Sequence, residues 1–333
     1  DVAQIQYTSG TTGVPKGVVL RHVAVLNSAK FFAGRAKINQ ESIWANFVPT
    51  FHTAGCVASV LGALNAGCVM YLVKAFEPEG LLRLIEEQKI STFFAVPTMV
   101  LSAIEAQERK PRDLSSMKMI VSGGALVPPE LVCSATQTFN CHFECVYGMT
   151  ETSPVIAQTF ATDTIQDTCD TVGQAMPHVS VSIRDPKTND VVPVGQVGEV
   201  CVSGPTVMKG YHDDPIATEQ TIDSDGWLHS GDLGVMDERG YFSISGRLKD
   251  MIIRGGENLF PTEIENVLLE HPSILEVAVI GVPDKKFGEI VACFVRCTEG
   301  YSLNIQELHG FCRKRISPQK TPAVWHQVTE FPL

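Results

Sequence analysis

The sequence predicts an α/β protein with a smaller α+β domain at its carboxyl end, on three observations. In the first half of the 333-residue chain, short apolar runs suited to buried strands alternate with helix-like stretches. The texture then changes to strands broken by Gly, Pro and Asp-rich turns. The last part orders strand, glycine-rich turn, helix and two further strands. The expected architecture is a large domain of several subdomains over residues 1–248, with α/β layers and a β-barrel-like subdomain at about 171–245. A small domain over 249–333 completes it, with a hinge at about Lys249.

Taken in order, IQYTS, IWANFVP, VMYLV, TFFAVP and KMIVSGG are the strand candidates, and PEGLLRLIEEQK and PTMVLSAIEAQERK the helices between them. The longest apolar run, Cys56 to Val73, is interrupted by Asn65 and by glycines, so it predicts a buried helix followed by a strand and no membrane span. The stretch VSVSIRDPKTNDVVPVGQVGEVCVSGP opens the β-rich part. Beyond Gly246, Thr262 and Glu265 have the spacing of a capping box, and Ile264, Val267 and Leu268 give the helix there its apolar face.

Composition limits the function classes. With 44% hydrophobic and 19% charged residues and a mean hydropathy of +0.09, the chain reads as a folded globular protein rather than a disordered one. A formal charge of −11 argues against nucleic acid as the main partner. The ten cysteines are scattered through mostly apolar contexts, which predicts reduced thiols and a cytoplasmic setting. Cys141, His142 and Cys145 form a tight group, but C-x-x-x-C without a second pair is a poor zinc signature, and core packing is the expectation. A start at Asp1, directly in a strand-like run, suggests a fragment.

Several motifs call for chemistry rather than packing. YTSGTTGVPKG, Tyr7 to Gly17, offers hydroxyls, close-approaching glycines and one ammonium, the makings of a polyphosphate cradle from Thr8, Ser9, Gly10, Thr11, Thr12, Gly13 and Lys16. It is not a Walker A loop: Lys16 stands between Pro15 and Gly17, where no helix is expected to start. YGMTE puts Tyr147, Gly148, Thr150 and Glu151 within five residues, a ring for a base, a hydroxyl for a phosphate and a carboxylate for magnesium. In WLHSGDLG, Asp232 could accept both hydroxyls of a ribose or simply form a turn. GRLKD places Arg247, Lys249 and Asp250 at the domain boundary, as a hinge or a solvated linker.

In order and spacing, YTSGTTGVPKG, YGMTE, GEVCVSGPTVMKGY, WLHSGDLG and GRLKDMIIRGGENLFPTEIE resemble the adenylate-forming superfamily of acyl-CoA synthetases, luciferases and peptide-synthetase adenylation domains. The resemblance implies ATP-dependent conversion of a carboxylic acid to acyl-AMP, then displacement of AMP by the thiol of CoA, with ATP, magnesium and CoA as partners. It implies that Thr8, Ser9, Thr11, Thr12 and Lys16 hold the β and γ phosphates, that Thr150 reaches the α-phosphate and that Glu151 binds magnesium. Tyr147 would sandwich adenine against the backbone of Gly123, Gly124 and Ala125, and Asp232 and Arg247 would fix the ribose. His52, in VPTFHTAG, matches the position near the carboxylate pocket; a packed core histidine is the alternative. Lys249 matches the hinge that brings Gly255 and Gly256 of RGGEN toward the thiol channel.

YGMTETSP and GGENLFPTEIE look more like fatty or other hydrophobic acyl-CoA synthetases, and Ala54, Gly55, Cys56 and Val57 would suit an apolar acid. An aryl or amino acid passed to a carrier protein is one alternative, and a silent nucleotide-binding fragment another. The family's large portion ahead of the phosphate loop and its P-x-x-x-x-G-K lysine have no counterpart here; neither Lys314 nor Lys320 has that context. The chain as it stands is therefore expected to adenylate poorly.

Overall fold

The structure is a computed structural model that describes residues 1–8 and 15–331. Strands β1 (Val2–Thr8) and β2 (Lys16–Arg21) form an antiparallel pair with Thr8 opposite Lys16. Helix α1 (His22–Arg35) follows at once and buries Ala24, Val25, Ala29, Phe32 and Ala33. The predicted α/β layer comes next, as β3 (Ile43–Asn46), α2 (Gly62–Ala66), β4 (Val69–Leu72), α3 (Pro78–Gln88), β5 (Thr92–Ala95), α4 (Pro97–Arg109), β6 (Met119–Gly123), α5 (Pro129–Phe139) and β7 (His142–Tyr147).

The five strands of this layer are parallel, in the order β4-β3-β5-β6-β7. Every residue of β5 and β6 is buried, as parallel strands covered on both faces require. Helix starts follow local chemistry: Pro78, Pro97 and Pro129 take the first turn, where a missing N–H costs nothing, and the Glu77 carboxylate accepts the Glu79 N–H at 3.0 Å. Ile85, Ile90, Phe93, Val100, Ile120, Val132 and Phe139 belong to one core cluster. Each contributes about 1.5–3 kcal/mol if its side chain is fully withdrawn from water.

Two short strands, β8 (Ala157–Gln158) and β9 (Gln174–Ala175), extend this sheet antiparallel to seven strands. Between them lies α6 (Ile165–Asp170), capped by Thr164, whose hydroxyl accepts the Asp167 N–H at 3.1 Å. The strand-rich stretch then supplies β10 (Ser180–Arg184), β11 (Gly198–Ser203), β12 (Gly210–Tyr211), α7 (Pro215–Thr221), β13 (Leu228–Met236) and β14 (Phe242–Arg247). Four of these strands form a sheet in the order β10-β11-β13-β14, while β12 pairs with β2 to make a three-stranded sheet with β1.

The chain divides into two compact units. The first comprises Asp1–Gln196, Val200–Ser230 and Val235–Ser243; the second comprises Val197–Glu199, Gly231–Gly234 and Ile244–Leu333. In the second, β15 (Ile252–Arg254), β16 (Glu257–Leu259), α8 (Pro261–Leu269), β17 (Ile274–Asp284), β18 (Gly288–Cys297), α9 (Ile305–Arg313) and β19 (Val324–Gln327) enclose a separate core that includes Ile264, Leu268, Val291, Val295 and Leu308. The strands run β16-β15-β18-β17, with β19 parallel to β18.

One local expectation is corrected here. The capping box from Thr262 to Glu265 does not form: Pro261 takes the first helical turn, Phe260 becomes the N-cap and no side chain caps it. Glu265 instead accepts the Val279 N–H at 2.8 Å and ties α8 to β17. The apolar face is as expected, with Ile264 and Leu268 buried and Val267 half-buried.

All ten cysteines are free, and Cys141 and Cys145 lie in the core cluster. Among the described residues, no helix is long and apolar enough to cross a membrane.

Candidate active site

The carboxyl ends of parallel strands are where α/β sheets collect their ligand-binding loops. Three predicted segments leave the sheet at that edge. Strand β6 ends at Gly123, in register with Val146 of β7, and a Cβ on Gly123 would lie 2.1 Å from the Val146 carbonyl oxygen. Only glycine fits there. Gly124, at φ +81°, turns the chain away, and Ala125 is exposed beyond it.

Strand β7 ends at Tyr147, whose ring stands edge-on to Phe242 with centroids 6.0 Å apart. Gly148 follows, so close to the Pro154 carbonyl that a Cβ would sit 1.9 Å from its oxygen. The tight turn Thr150–Thr152 then presents Thr150 and Glu151. It is closed by the Thr152 hydroxyl, which donates to the Met149 carbonyl at 2.9 Å.

His52 comes shortly after the end of β3. It is exposed, not a packed core side chain, and its Nδ1 accepts the Ala54 N–H at 3.1 Å. That bond puts the proton of the neutral ring on Nε2. Protein packed against the ring desolvates it in part and pushes its pKa below the ordinary imidazole value. The helix that follows, Ala54–Leu61, is a π-helix, which the sequence reading did not foresee. Gly55 permits it: a Cβ there would meet the Pro49 carbonyl oxygen at 2.3 Å.

Thr8 and Lys16 face each other as register partners, and Lys16 opens a strand rather than a helix, as its Pro-Lys-Gly context predicts. Ser9, Gly10, Thr11, Thr12 and Gly13 lie outside the described residues.

Pairing of β12 with β2 brings in a residue that the sequence reading missed, Tyr211, opposite Val18. The Lys16 ammonium sits 4.8 Å from the Tyr211 ring centroid, and the phenol donates to Glu151 Oε1 at 2.8 Å. Burial, and next the Glu151 charge, drive the phenol's pKa upward, so it stays a donor at neutral pH. The Met208 N–H donates to the Glu151 carbonyl at 2.8 Å, and Glu151 is buried. Among the described residues, no hydrogen bond reaches Glu151 Oε2. Lys16, Tyr211 and Glu151 thus form one linked set.

The second unit brings together another predicted pair. Asp232, buried in β13, receives Arg247 Nε at 3.0 Å on Oδ1, with the Arg247 side chain largely in solvent. Lys249 is exposed in the turn Leu248–Asp250. Gly255 and Gly256, at φ +61° and +88°, form the two-residue turn between β15 and β16 that positive φ at both positions requires. A surface concavity of about 540 Å³, lined by residues such as Lys118, Asn140 and His142, lies at the opposite, amino-terminal ends of β6 and β7. It contains none of these groups.

The family model described as AMP-binding enzyme matches residues 1–212, and the one described as AMP-binding enzyme C-terminal domain matches 263–333. Among curated proteins, the medium-chain acyl-CoA ligase ACSF2, mitochondrial, of Bos taurus is 35% identical over 339 residues, matching all of this chain and 55% of its own length. Among solved structures, ATP-bound MatB from Rhodopseudomonas palustris is 31% identical with a TM-score of 0.92, covering 100% of this chain and 65% of its own. The o-succinylbenzoate CoA synthetase MenE from Bacillus subtilis, in complex with the acyl-adenylate intermediate OSB-AMP, is 30% identical with a TM-score of 0.89, covering 98% and 66%. The chain spans 61% and 55% of the length of the first two curated relatives it matches.

Proposed function

The chain belongs to the AMP-binding enzyme family, and on that premise we propose that it serves an ATP-dependent acid–thiol ligase. In the first half-reaction a carboxylate oxygen attacks the α-phosphorus of ATP, forming acyl-AMP and releasing pyrophosphate. In the second, the CoA thiol displaces AMP. The observation that carries the reading is the linked set of Lys16, Tyr211 and Glu151, in the same unit as the glycine-lined sheet edge at Tyr147.

Negative charge grows on the phosphates as the α-phosphorus is attacked, so fixed donors matter more than a general base. Lys16 supplies an ammonium, and Thr8 and the residues 9–13 supply hydroxyls and N–H groups. Thr150 is the donor for the α-phosphate. Tyr147 and the backbone of Gly123, Gly124 and Ala125 would hold adenine between them. Asp232, its geometry fixed by Arg247, would accept from the ribose hydroxyls. A neutral His52, with its proton on Nε2, would offer the acid a hydrogen bond rather than a charge.

Glu151 fits magnesium: it is a hard oxygen donor with one oxygen tied by Tyr211 and the other clear of hydrogen bonds among the described residues. The ion would neutralise charge on the phosphates. Lys249 is proposed as a hinge at the boundary between a domain of 1–248 and one of 249–333, with Gly255 and Gly256 serving the thiol step.

For the acid we propose a medium-chain fatty acid, which the naming of ACSF2 and the apolar Ala54, Gly55 and Val57 beyond His52 support. An aryl acid is the second reading, favoured by the likeness to MenE. Ten free thiols support a reducing, cytoplasm-like setting.

The test is to supply the complete protein with magnesium ATP, CoA and a mixture of fatty, aryl and amino acids, and to read the products by mass spectrometry. A medium-chain acyl-CoA is expected, lost in Glu151→Gln. An aryl-CoA alone would replace the substrate assignment, and neither acyl-AMP nor thioester would overturn the ligase reading.

A further inference from the structure

Two thiols lie side by side away from the proposed site. Cys133, in the middle of α5, is the exposed one of the ten cysteines; Cys169, near the end of α6, is half-buried. The two helices pack against each other. Cys169 Sγ lies 3.7 Å from the Pro129 carbonyl oxygen, and Pro129 and Cys133 are four residues apart, on one face of α5. Position 133 therefore lies one helical turn beyond the residue that Cys169 Sγ touches, and Cys133 is the neighbouring thiol. By contrast, Cys141, Cys145, Cys201, Cys293 and Cys312 are buried.

We propose that Cys133 and Cys169 are a reversible redox pair, closed to a disulfide by a hydroperoxide. Cys133, as thiolate, attacks the hydroperoxide oxygen, becomes a sulfenic acid and releases the alcohol, or water when the oxidant is hydrogen peroxide. The Cys169 sulfur then displaces hydroxide from the Cys133 sulfur, and its own proton leaves with that hydroxide as water. Two electrons pass from the two sulfurs to the peroxide. The sum is two thiols and one hydroperoxide giving one disulfide, one alcohol and one water.

The order of the two thiols follows from their surroundings. Burial, the neighbouring Cys133, and the acidic Asp170 and Glu130 hold the Cys169 thiol up at about 12, protonated at neutral pH, while Cys133 meets solvent. The bridge would close a covalent loop over residues 133–169, which contains β7, the Tyr147–Glu151 segment and β8. A loop of that length stabilises chiefly by restricting the unfolded chain.

The experiment treats the complete protein with hydrogen peroxide, alkylates the remaining thiols under denaturing conditions, and maps disulfides by mass spectrometry of a non-reduced digest. A Cys133–Cys169 peptide that disappears with dithiothreitol is expected, together with a thermal midpoint several degrees higher in the oxidised protein. The shift should be missing in Cys133→Ser and in Cys169→Ser. In the latter, Cys133 should label with dimedone. Oxidation of Cys133 to sulfinic acid in the wild type without the linked peptide, or a bridge joining other cysteines, would overturn the proposal. None of these readouts depends on ligase activity.

Discussion

Tyr211 is where a single atom group has the most leverage, because its ring lies under Lys16 and its hydroxyl holds Glu151. Tyr211→Phe keeps the ring and removes the donor, leaving a buried carboxylate oxygen unpaired. A hydrogen bond to a charged group contributes about 1.5–3 kcal/mol, so manganese–ATP affinity, followed by electron paramagnetic resonance, should fall at least about tenfold. KM for magnesium ATP should rise with it, more than kcat falls. Unchanged affinity would remove Tyr211 from the site.

Glu144 gives a pH test of a different kind. It is fully buried on β7 and accepts from Gln158 Nε2, and among the described residues its Oε1 has no partner, with Arg35, Lys37 and Asp163 as the charges around it. Burial pushes its carboxyl up to about 8. The unfolded chain ionises near the ordinary value, about 4.3, so the folded state keeps a proton that the unfolded state loses. The stability linked to this group is therefore complete below about pH 4 and declines by up to about 1.4 kcal/mol per pH unit until about pH 8. Glu144→Gln removes that slope. Urea denaturation at pH 5 and pH 8 should show the wild type losing more stability than the variant; parallel losses would mean that Glu144 is already ionised in the fold.

At the scale of elements, the β6 and β7 ends depend on two glycines that are crowded rather than flexible. In Gly148→Ala the new Cβ meets backbone, the Pro154 oxygen at 1.9 Å and carbon at 2.8 Å, so the turn carrying Thr150 and Glu151 must move. Destabilisation of at least about 2 kcal/mol is expected, and chemical denaturation with an ATP-binding assay on the folded fraction checks both effects. The layered strands and helices were legible in the sequence because each is a continuous apolar run bounded by turn residues. YTSGTTGVPKG, YGMTE and WLHSGDLG stood out as candidates for a similar reason, because each packs its polar groups into a few neighbours. What escaped depends on distance along the chain: Tyr211 and Glu151 are 60 residues apart, and their meeting depends on β12 pairing with β2. The π-helix and the replaced capping box escaped for a local reason, since Gly55 and Pro261 override the pattern of the residues that follow them.

Across the whole molecule, the chain has two units, each holding its own hydrophobic core, and on the proposed ligase reading two half-reactions would be divided between them. If Lys249 is the hinge between half-reactions, its backbone must take more than one conformation, and its exposed side chain need do nothing. Lys249→Pro holds φ near −65° and restricts Leu248 before it. Fixing one conformation should penalise one half-reaction far more than the other. In the complete protein, single-turnover pyrophosphate release reads the first, and thioester formation from supplied acyl-AMP reads the second. The expected result is a loss of thioester formation of at least about tenfold, an added barrier of about 1.4 kcal/mol, with pyrophosphate release nearly preserved. Lys249→Ala, which keeps backbone freedom, should retain both steps. Equal losses in the two steps, or a matching loss in Lys249→Ala, would assign this position to binding or folding and leave the change between half-reactions to another part of the chain.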